Sequence, residues 1–307
     1  MGSKPKVIVI CGATASGKTS LSVELAKQIN GEIISADSMQ IYKDMDIGTA
    51  KVTKEEMQGI KHYMVDIVSP DKRYSVADFK HNAECAIEEI IKKGKTPIIA
   101  GGTGLYINSL IYNINYPDIQ FDEEYRKKLE EDAEQYGLDY MYNKACEVDP
   151  DAMKSISVND KKRILRVLEI YNQTGKTKTQ LEYESRKIEP KYDYCVYAIE
   201  WDRDILYERI NKRVDLMIKQ GLIEEVKSII EKYDEFPTAM QGLGYKEVVE
   251  YLQGKIDRQK MIEKIKMETR RYAKRQITWF KKIENIKWIE GKENLQNNID
   301  IILEGIK

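Results

Sequence analysis

The sequence predicts an α/β fold in which a parallel sheet is flanked by helices and a mostly helical domain is inserted into the chain. Two observations lead to this prediction. Short β-branched runs alternate with helix-compatible segments up to Asn115, and parallel strands need such helical crossovers. After Asn115 the charge pattern changes abruptly, which indicates a second structural unit.

The predicted sheet begins at residues 7–10, a run of Val and Ile that is soon followed by glycine and is typical of a buried parallel strand. The remaining strands of this half are also short and apolar, and its helices carry apolar residues on one face. We predict further strands at residues 32–35, 64–67 and 96–100, and helices at residues 18–29 and 76–93.

The predicted insert has an acidic part followed by a basic part. Residues 116–153 contain 12 acids and 4 bases, whereas residues 154–187 contain 4 acids and 9 bases. Helices are expected at residues 125–142 and 160–172. We therefore expect a core made of residues 1–115 and 196–307, and a helical insert made of residues 116–195.

The C-terminal third begins with one more predicted strand, at residues 193–200, where Tyr194, Val196 and Ala198 alternate with Cys195, Tyr197 and Ile199. The rest of the chain has mostly helical periodicity. We predict helices at residues 203–220, 222–232, 245–252 and 257–283.

Composition excludes several classes of protein. The net charge is −1, so any nucleic-acid surface must be a local patch. No apolar run approaches the ~20 residues that cross a bilayer, so no membrane association is expected. The four separated cysteines and two histidines argue against a disulfide framework or a zinc site and fit a reducing cytoplasm. Nothing marks a surface for oligomerisation, so a monomer is the default expectation.

The strongest motif is a phosphate-binding loop (P-loop) of the form G-x4-G-K-[ST], with a predicted strand before it and a helix after it. Its backbone amides and the positive end of the helix can cradle an anion, the lysine can neutralise a terminal phosphate, and Thr19 can bind Mg²⁺. The motif is compatible with three classes of enzyme: a nucleotide hydrolase, a kinase, or a transferase that releases diphosphate. Its residues are Gly12, Ala13, Thr14, Ala15, Ser16, Gly17, Lys18 and Thr19.

Asp37 follows the second predicted strand, at the sheet edge where ligands of α/β folds collect. A carboxylate at this position could accept a proton from an attacking nucleophile. Asp is also common as a cap of turns and helices, so catalytic and capping roles both stay open. The strand predicted at residues 96–100 ends in Gly-Gly-Thr-Gly and lacks the acid of a motor-type ATPase, which makes that class less plausible.

Six ordered segments together resemble the bacterial tRNA dimethylallyltransferases, also called tRNA isopentenyltransferases. They are the phosphate loop, Asp37-Ser-Met-Gln40, Gly48-Thr-Ala-Lys51, Gly101-Gly-Thr-Gly-Leu-Tyr106, Gly242-Leu-Gly-Tyr-Lys-Glu247 and the stretch from Arg270 to Phe280. The resemblance implies a P-loop core with a helical insert. It also implies transfer of a dimethylallyl group from dimethylallyl diphosphate to N6 of the adenosine 3′ of the anticodon, with Mg²⁺ as cofactor.

The resemblance also implies roles for individual residues. Asp37 would deprotonate the amine, and Lys18, Thr19 and Arg213 would serve the diphosphate. Thr103 would contact RNA or the reactive pocket, although a turn or helix cap is its alternative. Contacts with the tRNA anticodon stem-loop are expected from Asp37, Ser38, Met39, Gln40, Thr103, Arg126, Lys161, Lys162, Arg163, Arg166, Arg271 and Arg275.

Arg271 and Arg275 have additional support as RNA contacts, whereas Arg126 has a specific alternative. The stretch from Arg270 to Lys282 holds six bases and no acid, which is a local anomaly in a near-neutral chain. Arg126 could instead pair with Asp122 or Glu130 four residues away.

The main competing function is a P-loop kinase of a small metabolite or nucleotide. A noncatalytic RNA-binding protein and an enzyme that prenylates free nucleotides are further alternatives.

Overall fold

The computed structural model describes residues 4–114, 122–292 and 294–306. Its core is a parallel six-stranded sheet with strand order β3-β2-β4-β1-β5-β6, flanked by helices. This confirms the predicted fold class. The strands are β1 (Lys6–Gly12), β2 (Gly31–Ser35), β3 (His62–Tyr63), β4 (Thr96–Gly101), β5 (Asp193–Glu200) and β6 (Lys287–Glu290).

Strand β1 lies inside the sheet because both of its edges are paired. Ile8 faces Ile98 of β4 on one side and Cys195 of β5 on the other. Residues 7–11 of β1 are fully buried, as expected for a parallel strand covered on both faces. Since all strands run in parallel, the loops after β1, β2, β4 and β5 leave the sheet at one edge.

The described chain divides into two compact units, residues 1–110 with 191–307 and residues 111–190. The sequence placed the insert at residues 116–195, and its expected first residue lies outside the described residues. At the other end, β5 pairs with β1 from Asp193 onward. Residues 193–195, which the sequence assigned to the insert, therefore belong to the core sheet. The helices of the first unit are α1 (Lys18–Gln28), α2 (Lys54–Met57), α3 (Val76–Lys92), α4 (Gly104–Ile111, whose last residue falls in the second unit), α10 (Arg203–Gln220), α11 (Leu222–Lys232), α12 (Tyr245–Leu252), α13 (Arg258–Phe280) and α14 (Gln296–Ile306).

The second unit consists of short helices around its own apolar core, to which Leu129, Met141, Ile164 and Leu168 contribute. Asp160 caps the helix at residues 161–174 by accepting from the amide of Arg163, as its position in the sequence suggests. The helices are α5 (Glu123–Tyr136), α6 (Leu138–Val148), α7 (Pro150–Met153), α8 (Lys161–Thr174) and α9 (Lys178–Arg186).

Two predicted elements were wrong for local reasons. The strand predicted at residues 64–67 does not form, because Met64 and Asp66 have left-handed φ values of 64° and 56°. The helix predicted at residues 125–142 is interrupted at Gly137, whose φ is 85°. The sequence prediction also missed two strands, β3 and β6, and five helices, α2, α4, α7, α9 and α14. None of the described helices is long and apolar enough to cross a membrane.

Candidate active site at the phosphate loop

The phosphate loop connects β1 to α1 and closes around its own lysine. The Lys18 ammonium donates to the carbonyls of Gly12 (3.1 Å) and Ala13 (2.7 Å). Gly17 precedes α1 with φ 91°, a left-handed conformation that glycine adopts without steric cost. The loop therefore presents the N-terminus of α1 and a cation to the same space, which is the arrangement that binds phosphate groups.

Helix α10 contributes two arginines to the loop. The Arg213 guanidinium donates to the Thr14 hydroxyl over 3.2 Å, and Arg209 donates to the Ala15 carbonyl over 2.9 Å. Trp201 donates its indole N–H to the Ser16 carbonyl (2.9 Å), and its ring lies 4.4 Å beneath the Arg209 guanidinium. These contacts hold the loop from the side of β5 and α10.

Helix α13 holds the loop through Gln276, which is buried. Its side-chain oxygen accepts from the Thr14 amide (2.9 Å), while its side-chain nitrogen donates to the Gly102 carbonyl (2.8 Å). One amide thus connects the phosphate loop to the end of β4, because a primary amide can accept and donate at once.

Asp37 lies two residues after the end of β2. Its environment allows both the capping role and the catalytic role that the sequence left open. One carboxylate oxygen accepts from the amides of Met39 (2.9 Å) and Gln40 (3.4 Å), so Asp37 forms an Asx turn. The same residue lines the cavity beside the phosphate loop. Capping fixes the carboxylate in place and therefore does not compete with a role as a base.

Two adjoining cavities form the site, with volumes of about 420 and 320 Å³. The first includes Lys18, Thr19 and Gln276, and the second has an apolar wall that includes Val214, Met217 and Ile265. A shared set of residues lines both cavities, namely Thr14, Asp37, Thr49, Ala50, Arg213 and Tyr272.

The cations of the first cavity are electrostatically strained. Desolvation by burial and then the positive charge of Arg213 lower the pKa of Lys18 to about 8. Burial also lowers the pKa of Arg213, although the negative charge of Asp37 opposes this. Burial, followed by the charge of Asp37, raises the pKa of the Tyr272 phenol. Two partly desolvated cations in one cavity favour the binding of a multiply charged anion.

The donor set for a metal is small. Within residues 4–114, 122–292 and 294–306, no group of three or more His, Cys, Asp or Glu side chains is arranged to hold an ion. The Thr19 hydroxyl and the Asp37 carboxylate line the first cavity. Hard oxygen donors in low number suit Mg²⁺, which keeps several waters and binds mainly through substrate phosphates.

The segment after Asp37 contributes to the walls of the site. The Ser38 amide donates to the Thr103 hydroxyl over 3.0 Å, and that hydroxyl donates to Ser38 Oγ over 3.3 Å. Gln40 donates to the carbonyls of Thr49 (3.3 Å) and Ala50 (3.1 Å). Of the expected RNA contacts in this region, Ser38 and Met39 line the second cavity and Gln40 lines the first, whereas Thr103 supports Ser38.

The two expected RNA-binding arginines of α13 have different environments. Arg275 is exposed, lines the second cavity and lies 5.7 Å from the centre of the Tyr272 ring. Arg271 is exposed but pairs with Glu268 at 2.7 Å, an acid just before the segment that the sequence singled out. The aromatic residues of that segment are also divided, since Phe280 is fully buried whereas Tyr272 lines both cavities.

The expected basic surface of the insert, within the second unit, is partly neutralised. Arg126 pairs with Glu130 (2.8 Å), one of the two acids that its alternative interpretation named, and also with the buried Glu169 (2.9 Å), which the sequence did not suggest. Arg166 also pairs with Glu169 (3.2 Å). At the start of α8, Lys162 and Arg163 are exposed and Lys161 is half-buried.

Sequence reasoning missed four residues of the site: Trp201, Arg209, Tyr272 and Gln276. Arg209 lies one helical turn before Arg213, and this spacing could have identified it. Tyr272 and Gln276 are in the segment from Arg270 to Phe280, also four residues apart, and so on one face of α13. Trp201 carried no local signal.

The comparisons with known proteins agree on one family of enzymes. A family model described as IPP transferase matches residues 40–283. A tRNA dimethylallyltransferase of Acetivibrio thermocellus is 55% identical over 288 residues, which is 94% of this chain and 92% of the relative. One from Thermoanaerobacter sp. is 52% identical over 98% of each chain.

Two solved structures resemble the whole fold. A tRNA isopentenylpyrophosphate transferase from Staphylococcus epidermidis has a TM-score of 0.73 and 45% identity, with 99% of each chain covered. A eukaryotic dimethylallyltransferase, described as acting on tRNA, has a TM-score of 0.83 and 33% identity, with 98% of this chain and 79% of that chain covered.

Proposed function

Because the chain belongs to the IPP transferase family, we propose that it transfers a dimethylallyl group from dimethylallyl diphosphate to N6 of the adenosine 3′-adjacent to the anticodon of tRNA. Pyrophosphate is released. The observation that carries this proposal is that Asp37, Lys18 and Arg213 line one cavity at the phosphate loop. A proton acceptor and an anion cradle thus face the same space.

The diphosphate binds at the phosphate loop. Lys18, Arg213 and the amides at the start of α1 neutralise the charge that develops on the leaving group, which is the largest electrostatic requirement of the reaction. The Thr14 hydroxyl, already a partner of Arg213, lies at the same place. Residues 12–19 as a whole form this diphosphate-binding segment.

Asp37 accepts the proton. The N6 amine attacks the allylic carbon, the bond between that carbon and the diphosphate oxygen breaks, and the N6 proton passes to the carboxylate. Since the amine lone pair is delocalised into the purine ring, a fixed base beside it lowers the barrier. The Asx turn supports this assignment, because it fixes the orientation of the side chain.

Mg²⁺ fits this site as a cofactor. The Thr19 hydroxyl, with Asp37 nearby in the same cavity, would hold it, and the ion would neutralise diphosphate charge.

The adenine enters through the second cavity, which shares Asp37 with the first. A base stacked in the anticodon loop could not reach this carboxylate, so it must be extruded. Apolar side chains and Tyr272 line the path, which would exclude water from a reactive allylic centre.

The tRNA is held by Ser38, Met39 and Gln40, which line the cavities, by Thr103 behind Ser38, and by Arg271 and Arg275 of α13. In the insert, Lys161, Lys162 and Arg163 would contribute from the first turn of α8, where Arg163 also pairs with Asp160 (3.4 Å). Arg126 and Arg166 would contribute while paired with acids. We further propose a monomer that acts in the cytoplasm, where tRNA is matured.

One assay tests the function. Protein, magnesium, labelled dimethylallyl diphosphate and unmodified tRNA are incubated together, and label in the tRNA is measured. We expect label at N6 of one adenosine, and none when that adenosine is replaced by guanosine. A parallel incubation contains ATP and a small hydroxyl compound; phosphoryl transfer there, without label in the tRNA of the first incubation, would instead support the kinase alternative.

A further inference from the structure

Two of the segments that define the family resemblance, Gly48-Thr-Ala-Lys51 and Gly242-Leu-Gly-Tyr-Lys-Glu247, have no role in the chemistry described above. They contact each other through Gly48 and the Tyr245 ring, and both bind one side chain outside the two segments, Glu225 of α11. We propose that Glu225 is a positioning residue for prenyl transfer, whose carboxylate fixes the wall that the two reaction cavities share. This inference rests on the proposed function.

The Glu225 carboxylate accepts four hydrogen bonds. One oxygen accepts from the amides of Asp46 (2.9 Å) and Ile47 (2.6 Å), and the other accepts from the Gly48 amide (3.0 Å) and the Tyr245 hydroxyl (2.7 Å). An ionised carboxylate can accept two hydrogen bonds at each of its oxygens, whereas no neutral side chain can accept hydrogen bonds from all four of these donors. The three consecutive amides are therefore held by a charge and not by a regular strand or helix.

Tyr245 fixes the same loop by its ring. A Cβ atom added to Gly48 would lie only 2.4 Å from the Tyr245 ring, so the backbone and the ring are in direct contact. Tyr245 is fully buried and also lines the second cavity. Glycine at position 48 thus allows the loop to reach Glu225 and Tyr245 together.

The restrained loop forms part of the reaction site although Glu225 itself lines neither cavity. Thr49 and Ala50 line both cavities, next to Asp37 and Arg213. On the cavity side, Gln40 donates to the carbonyls of both Thr49 and Ala50. The wall is thus held from inside by Gln40 and from outside by Glu225.

The backbone of the wall needs such support. Ala50 has a φ of 47°, a left-handed conformation that residues other than glycine adopt at a cost and keep only when their surroundings enforce it. Lys51 restrains the far end by donating to the Tyr42 carbonyl (2.8 Å) and to Asp46 (2.6 Å). Without Glu225 the segment of residues 46–48 has three unpaired amides, and the wall can relax away from the cavity.

The test compares Glu225→Gln with its exposed helix neighbour Glu224→Gln, a charge-matched control. Gln keeps the size of the side chain but accepts at one oxygen and turns an NH₂ toward backbone donors. We expect kcat/KM for label transfer to fall about 10- to 100-fold in Glu225→Gln, the loss typical of a small misplacement. Glu224→Gln should stay within about twofold of wild type.

Pyrophosphate affinity separates positioning from a general loss of structure, because Glu225 bonds to residues 46–48 and Tyr245 and not to the phosphate loop. We expect Glu225→Gln to bind pyrophosphate within about threefold of wild type while kcat falls. Unchanged kcat/KM in Glu225→Gln, or equal losses of kcat and pyrophosphate affinity, would overturn the inference.

If Glu225→Gln does not fold, Tyr245→Phe provides the test. Loss of the one hydroxyl donor should lower kcat/KM several-fold, and wild-type kinetics would refute the role of Glu225. Absence of label transfer by the wild type would refute the proposed function instead.

Discussion

The cations of Lys18 and Arg213 line one cavity, and the charge of Arg213 is second only to burial in lowering the pKa of the Lys18 ammonium to about 8. The free site is therefore strained by its own charges. A bound dianion relieves this strain, since it stabilises the protonated ammonium and restores its pKa toward the ordinary value.

The affinity of the site for sulfate should fall as the pH rises through about 8. The Lys18 pKa is depressed in the free protein and higher in the complex, so the complex binds more protons, and binding weakens as protons are removed. The fall should approach tenfold per pH unit above pH 8. Sulfate suits the test because its own charge is constant in this range. Titration calorimetry between pH 7 and 9.5 measures it, and Lys18→Met should bind weakly with no such dependence.

Asp37→Asn should separate the two roles of this residue. The amide oxygen of Asn can still accept from the amides of Met39 and Gln40, so the turn and the melting temperature should be retained. The base is lost, and single-turnover label transfer should slow by about 10²- to 10⁴-fold. Asp37→Ala should be equally slow and also less stable. An Asn variant with a tenth or more of wild-type activity would show that Asp37 serves the turn and not the proton transfer.

Gln276→Leu should weaken the phosphate loop while leaving tRNA binding intact. Leu is similar in size, but it leaves the Thr14 amide and the Gly102 carbonyl without their partner. Each buried polar group that loses its partner costs about 1–3 kcal/mol, so unfolding should occur at lower denaturant concentration and sulfate affinity should fall. Gln259→Leu, at an exposed position of the same helix, is the matched control. Equal stability of the two variants would contradict the bridging role.

Arg275→Ala should weaken tRNA binding more than Arg271→Ala. Arg275 lines the second cavity, whereas the charge of Arg271 is partly neutralised by its pair with Glu268. Filter binding at several salt concentrations should show a salt slope smaller by about 0.7 in Arg275→Ala, as expected for one lost phosphate contact. Lys260→Ala, which removes a cation paired with Asp257 at the other end of α13, should bind like wild type. The reverse order for the two arginines would argue against this placement of the RNA.

The elements with local signals were predictable from the sequence. The buried strand β1, the phosphate loop and the helix α1 follow one another within residues 6–28, so their geometry depends on neighbours along the chain. The same holds for Asp37, which follows β2 by two residues. The helical insert was visible in its charges. These features depend on β-branching, glycine placement and periodicity, which are properties of short segments.

Tertiary structure alone decided which distant side chains support those segments. Gln276 reaches Thr14 across 262 positions of sequence, and Glu225 binds the amides of Asp46, Ile47 and Gly48 across some 180. It also decided that Arg271 is paired with an acid while Arg275 faces a cavity. The sequence by itself thus determined the anion cradle and the carboxylate, because local backbone conformation creates them. Their mutual placement required the folded sheet, because hydrogen bonds between remote segments form only once the strands have brought them together.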